Sequence, residues 1–300
     1  MAPRFDPRDR DSGRLRKAVS NSLFELALAF STPGKNAHTL IHEARKTLKH
    51  LKTLSRLLHK VDPEAFTRLH AELADLGSAL AETREAAALA ETASWLAALA
   101  RAPDEAGRFS RLAKTLEARR DALPVADVRT VLGKAGARCR ALSEMAANLP
   151  YPQGRKKTAR LLAHSWQEMM QEGRRTLSPL TVESDAEAFH DLRRCAQNLS
   201  AACGLLRSLW PEAMRARQES CRDLIDNLGR ESDIEGLMQL MRREPQHFGE
   251  AIDQVILERL LTRRRQALRL LSLQQAAPIL TVDPEKDARR IRILWEVVGA

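Results

Sequence analysis

The sequence is poor in aromatic residues and contains no long apolar run. Phe, Trp and Tyr together make up 4% of the 300 residues, and Tyr occurs once. A chain dominated by Ala, Leu, Arg and Glu favours helix and argues against a β-sandwich or β-barrel. No stretch reaches the roughly 18 apolar residues that a membrane-spanning helix needs. The first residues lack the apolar core of a secretion signal, and we expect residues 1–11 to form a disordered arm.

The four cysteines are not arranged for metal binding or redox chemistry. Cys139, Cys195, Cys203 and Cys221 form no C-x-x-C pair and fall inside helix-like segments. In such segments cysteine acts as a small apolar residue. The sequence therefore predicts reduced thiols and a cytoplasmic location.

Catalytic motifs are also missing. The chain contains no Walker A motif, no G-x-G-x-x-G, no G-x-S-x-G and no H-E-x-x-H. Its acidic residues are scattered, with no evident pattern for a two-metal site. We therefore expect a protein that is not an enzyme, without a cofactor and without a metal ion.

Positive charge is the strongest compositional feature. Lys and Arg number 49 against 39 Asp and Glu, which gives a formal net charge of +10. An excess of this size is an argument about partners rather than fold. It indicates a polyanionic partner, such as a nucleic acid, an acidic membrane surface or another polymer.

Helical periodicity runs along the chain, and it repeats. His42 and His190 are 148 positions apart, and the same offset relates Arg45 to Arg193 and Pro63-Glu64-Ala65 to Pro211-Glu212-Ala213. We expect an all-α protein of two repeats, 12–150 and 155–298, within one unit over 12–298. Finer expectations are one long helix over 63–101, a helix ending near residue 275, and a capping box of Ser184 with Glu187.

The segment "IHEARKTLKHLKTLSRLLHK", residues 41–60, has a basic face. At about 100° per residue its cations fall within an arc of roughly 140°, opposite an arc of Ile, Ala and Leu. Glu43 is the only acid in the segment. A solvated face normally mixes charge signs, so this face indicates a bound anion or a facing acidic helix. The corresponding face in the second repeat, residues 189–209, carries fewer cations. The candidate anion-binding residues are His42, Arg45, Lys46, Lys49, Lys52 and Arg56 in the first repeat and His190, Arg193, Arg194 and Arg207 in the second.

These segments resemble the CHAD family, the conserved histidine α-helical domain. The resemblance is carried by "IHEARKTLKHLKTLSRLL", "LAETREAAALAET", "FHDLRRCAQNLSAACGLL" and "LGRESDIEGLM", in that order. It implies two pseudo-symmetric helical bundles with basic residues around a shared groove. It also implies binding of inorganic polyphosphate without catalysis. No E-x-E-x-K motif occurs, so the chain looks like a stand-alone member.

Two other functions stay open at this point. Sequence-nonspecific nucleic-acid binding is favoured by the basic surface, but few aromatic residues are present for base stacking. An interaction protein at the surface of polyphosphate or storage granules is compatible with polyphosphate binding. We therefore expect a polyphosphate partner, possible granule association, and nucleic acid as a competitor.

Overall fold

The structure is a computed structural model that describes residues 3–9, 11–31, 37–80, 85–122 and 128–299. Over these ranges the chain is helical and has no strand, so the all-α expectation is confirmed. A short 3₁₀ helix, Pro245–His247, precedes α10. The α-helices are α1 (Gly13–Ser31), α2 (Ala37–Leu58), α3 (Pro63–Ala79), α4 (Glu85–Leu99), α5 (Pro103–Ala122), α6 (Val128–Asn148), α7 (Arg155–Leu177), α8 (Ala186–Leu205), α9 (Pro211–Arg243), α10 (Ala251–Leu280) and α11 (Pro284–Val298).

The apolar faces of α2 and α8 form the centre of the main core. On α2 the residues from Ile41 to Leu58 that lie opposite the cations are at most 2% exposed. Phe189, Leu192 and Leu199 of α8 are equally buried. Burial of each such side chain contributes about 1.5–3 kcal/mol. The two helices pack against each other, and α7 contacts both.

The buried apolar residues of the described ranges form two hydrophobic clusters, and each cluster includes residues from both halves of the chain. The main cluster joins α1, α2, α3 and α6 to α7, α8 and α11, the first half of α9 and the end of α10. The smaller one joins α4 and α5 to the second half of α9 and the first half of α10. The boundary near residues 150–155 therefore does not separate two cores. The two-repeat relation between the halves stays a prediction.

Three finer expectations were wrong. The helix expected over 63–101 is two helices, since α3 ends at Ala79 and α4 begins at Glu85. Helix α10 continues through Pro278 to Leu280. Ile279 and Leu280 are buried in the core, and their burial offsets the free-energy cost of the hydrogen bond that proline cannot make. The residue that caps α8 is Asp185, whose carboxylate accepts from the Ala188 N–H at 2.7 Å. The Ser184 hydroxyl instead accepts from the Thr181 N–H at 3.0 Å.

The expected disordered arm over residues 1–11 does not hold for residues 3–9. Phe5 is 2% exposed and packs edge-on against Trp295, with ring centroids 6.4 Å apart. Its N–H donates to the Leu205 carbonyl at 2.9 Å, and the Ser208 hydroxyl donates to its carbonyl. One large apolar residue thus attaches the segment to the end of α8 and to α11.

A buried ion pair fixes the start of α8. The Arg269 Nε donates to Glu231 Oε1 at 2.7 Å, and both side chains are at most 4% exposed. The same guanidinium donates through Nη1 to the carbonyls of Val182 and Ser184 and lies 4.4 Å over the Phe189 ring. Arg269 of α10 therefore ties the loop before α8 to α9.

Replacing Glu231 with Gln should destabilise the protein by about 3 kcal/mol, because it leaves the buried Arg269 charge without its counter-ion. Chemical denaturation at pH 7 measures this loss. The control is Glu43→Gln, which removes a carboxylate from an exposed ion pair with Lys46 and should leave stability close to that of wild type. Equal stability of Glu231→Gln and wild type would contradict this role.

Candidate functional site

A groove of ≈ 830 Å³ opens between α2, α8, α4 and α9. One side, formed by α2 and α8, is basic. The side formed by α4 and α9 is mixed, with Arg230 beside three acids. The lining residues are His42, Arg45, Lys46, Lys49, Ala88, Glu91, Thr92, Arg193, Ile225, Asp226, Gly229, Arg230 and Asp233.

The groove gathers half of the residues that the sequence suggested. His42, Arg45, Lys46 and Lys49 come from the first half of α2, and Arg193 comes from α8. Lys46 also forms an exposed ion pair with Glu43, with 2.9 Å between Nζ and Oε1. Cations far apart in the sequence therefore line one cavity, because the apolar faces of α2 and α8 pack together beneath them.

The other candidates lie outside this lining. Lys52 is half-buried further along α2, and Arg56 forms an ion pair with Glu172 of α7. Arg194 is paired with Asp191, with 3.2 Å between nitrogen and oxygen. His190 is exposed near the start of α8, and Arg207 follows the end of that helix. Arg56 instead lines a cavity of ≈ 300 Å³ with His59 and His70.

Arg193 is a half-buried cation without a counter-ion. Its Nε is buried and has no hydrogen-bond partner, and none of the ion pairs in the described part of the chain includes it. An unmatched buried polar group costs about 1–3 kcal/mol, and more when the group is charged. The guanidinium is therefore in a state that an anion in the groove would stabilise.

Gly229 of α9 has no side chain, and the Arg193 guanidinium lies in the space beside it. A Cβ built at this glycine would lie 3.1 Å from Arg193 Nη2. Thr92 of α4 also lines the groove. It is fully buried, and its Oγ1 has no partner. Sequence reasoning missed Thr92, Gly229 and Arg230, since no local pattern distinguishes them from ordinary helix residues.

Like charges crowd the basic side of the groove. Partial removal from water, followed by the charges of Arg193, Arg45 and Lys52, lowers the pKa of Lys49 to about 8. This shift occurs although the Lys49 residue as a whole is exposed. Partial burial, followed by the charges of Arg194 and Arg56, also lowers the pKa of Lys52. Nearby positive charge disfavours the protonated amine, so the side formed by α2 and α8 carries electrostatic repulsion in the absence of an anion.

No group of three or more His, Cys, Asp or Glu side chains in the described ranges is arranged to hold a metal ion. The four cysteines are buried free thiols. Burial raises the pKa of Cys139 and of Cys221 to about 12, so both are protonated at neutral pH. In the described residues no helix is long and apolar enough to cross a membrane.

Comparisons with known proteins agree on one family. A family model described as the CHAD domain matches residues 32–242, well over half of the chain. A crystal structure of the CHAD domain from the plant Ricinus communis is similar in fold, with a TM-score of 0.58 and 18% sequence identity. The similarity covers 94% of this chain and 95% of that one. A search of curated proteins gave no match.

The lowered pKa of Lys49 predicts how stability varies with pH. Between about pH 8 and 10.5 the unfolded chain holds a Lys49 proton that the folded chain has lost, so the free energy of unfolding should rise with pH. Lys49→Met should remove this rise and be more stable than wild type at pH 7. Solvent screening limits the gain to the order of 1 kcal/mol.

Urea denaturation between pH 7 and pH 10 measures the difference. Lys134→Met, which replaces an exposed lysine of α6, is the control and should follow the wild-type pH dependence. If Lys49→Met also follows the wild type, the crowding of charge at Lys49 has no energetic consequence.

Proposed function

Because the chain belongs to the CHAD domain family, we propose that it binds inorganic polyphosphate in the groove between α2, α8, α4 and α9, without catalysis. The observation that carries the proposal is the Arg193 guanidinium, half-buried in the groove with its Nε unpartnered. Arg offers bidentate hydrogen bonds to phosphate oxygens, and Lys offers a point charge. A phosphate chain supplies oxygens that match both.

The bound chain lies along the α2 and α8 side of the groove. His42, Arg45, Lys46, Lys49 and Arg193 face it there, whereas Glu91, Asp226 and Asp233 occupy the α4 and α9 side and repel phosphate. Lys52 extends the basic row beyond the groove. Arg56 contributes less, because its guanidinium is already paired with Glu172. Repeat one therefore supplies most of the contacts, and Arg193 is the main contribution of α8.

Anion binding relieves the repulsion among the cations on the α2 and α8 side. Phosphate oxygens near Lys49 and Arg193 favour the protonated amine and give the guanidinium a partner. Binding thus gains free energy both from new contacts and from the removal of an unfavourable charge arrangement. The proposal includes a cytoplasmic location and association with polyphosphate granules, where the polymer is present in quantity.

Nonspecific nucleic-acid binding is the second candidate, favoured by the same cluster of cations on α2 and α8. Among the described residues, the groove lining contains no Phe, Tyr or Trp and only one ring, the His42 imidazole, so bases have little on which to stack. A polymer of phosphates without bases therefore fits the lining better than a single-stranded nucleic acid does.

Competition at one fixed salt concentration tests the choice of polymer. Unlabelled polyphosphate should displace labelled polyphosphate at least about tenfold more effectively than single-stranded DNA, duplex DNA or RNA at equal phosphate concentration, because the groove offers cations for a chain of phosphates and little surface for sugars and bases. In a separate salt series the affinity for labelled polyphosphate should fall as salt rises, because counter-ions are released on binding. Equal or better competition by any nucleic acid would favour the second candidate.

Replacing Arg45, Lys49 and Lys52 together with Gln should weaken polyphosphate binding at least about a hundredfold. Each charge-assisted contact contributes about 1.5–3 kcal/mol when fully formed, and less when exposed. Fluorescence titration with polyphosphate measures the affinity, and circular dichroism confirms that the helices persist. Arg207→Gln should have a small effect, because Arg207 lies outside both the groove and the row of cations on α2.

The control is a variant in which Arg129, Lys134 and Arg140, three exposed cations of α6, are replaced with Gln. It removes the same net charge from a helix that does not line the groove, so it should bind nearly as well as wild type. Similar losses in both triple variants would mean that overall charge, rather than the groove, holds the polymer.

A further inference from the structure

A second basic cavity lies between α7 and α11 and shares no lining residue with the groove. It measures ≈ 290 Å³ and is lined by Arg160 and His164 of α7 and by Arg289 and Arg292 of α11. We propose that this cavity, the α7–α11 pocket, binds a small inorganic phosphoanion with two or three phosphoryl groups. The inference does not rest on the function proposed for the groove.

Small residues make the pocket concave. Ala163 of α7 and Ala288 of α11 line it and are 8% and 4% exposed, whereas the three arginines beside them are exposed. The alanines therefore form a floor where the two helices pack, and the longer side chains stand around it. Ligand sites are concave in this way, and an anion on the floor would be within reach of cations from both helices.

The helices that carry the pocket are rigidly joined beside it. Asp287, next to Ala288 in sequence, is 6% exposed. Its Oδ2 accepts from Trp166 Nε1 of α7 at 2.8 Å and from Arg217 Nη1 of α9 at 2.7 Å. When the residues that support a site are already fixed, less conformational entropy is lost on ligand binding.

The charges in the pocket favour an anion with several negative groups. The lining contains three guanidinium groups and one carboxylate, that of Glu285. His164 is already hydrogen-bonded to Glu168 at 3.2 Å. Within the ranges described, Arg160, Arg289 and Arg292 form no ion pair. Arg289 and Arg292 are also neighbours at i,i+3, where like charges repel. Guanidinium groups bind phosphate through paired hydrogen bonds.

Size and composition narrow the ligand further. A cavity of ≈ 290 Å³ is at the lower end of the range for small-molecule sites. Among its lining residues only His164 has a ring, so a nucleotide base has little to stack on. These features favour inorganic di- or triphosphate over a nucleotide.

The test follows the His164 imidazole resonance of the full-length protein by NMR during titration with inorganic tripolyphosphate. The wild type should show a saturable shift. Replacing Arg160, Arg289 and Arg292 with Gln should weaken the apparent affinity at least about tenfold, since several charge-assisted bonds are lost. A matched variant with Gln at Lys156, Lys157 and Arg290, exposed cations of the same helices outside the lining, should stay within about twofold of wild type.

Absence of a saturable shift in the wild type, or an equal loss in the matched variant, would overturn the proposal. Long-chain polyphosphate distinguishes two sources of the ligand. If the variant with Gln at Arg160, Arg289 and Arg292 also binds long-chain polyphosphate more weakly, the pocket binds phosphoryl groups of a chain that is also held elsewhere on the protein. If its affinity for the long chain is unchanged, the pocket binds a separate small molecule. Either outcome in this arm supports the pocket as a phosphate site.

Discussion

The close packing of α2 against α8 is the constraint on which the site depends. Their apolar faces are buried together in the main core, and this brings the polar faces of both helices to one side. Gly204 of α8 allows the approach, since a Cβ there would lie 3.1 Å from His50 Cε1. Burial of the apolar faces thus holds the charges of Lys49 and Arg193 close together, where they repel each other. The free energy that the core supplies offsets the cost of keeping these cations together.

Part of this arrangement could be predicted from the sequence. Helical periodicity shows which face of α2 is buried, because Ile41 and the leucines recur every three or four residues. The opposite, basic face follows from the same spacing. The matching histidine and arginine of α8 predict that the two helices are equivalent members of a repeat, and this relation stays a prediction. These are local patterns, and burial of apolar faces is the physical rule that makes them informative.

Other parts of the site depend on tertiary contacts that no local pattern reveals. Arg193 and Arg194 are adjacent and look equivalent in sequence, yet Arg193 lines the groove and Arg194 pairs with Asp191. The difference arises partly because Gly229 of α9, distant in sequence, leaves room beside Arg193. Likewise Arg56 continues the basic row in sequence, but Glu172 of α7 neutralises it. The buried Phe5 shows the same limit, since a short polar segment gives little sign that one aromatic residue will dock.

We propose that position in the groove, rather than positive charge alone, determines polyphosphate binding. The adjacent arginines of α8 test it most directly, because Arg193→Gln and Arg194→Gln remove the same charge one residue apart. Polyphosphate affinity of each variant, measured at one salt concentration, should fall at least about tenfold for Arg193→Gln and change little for Arg194→Gln. Equal affinities for the two variants would contradict the claim.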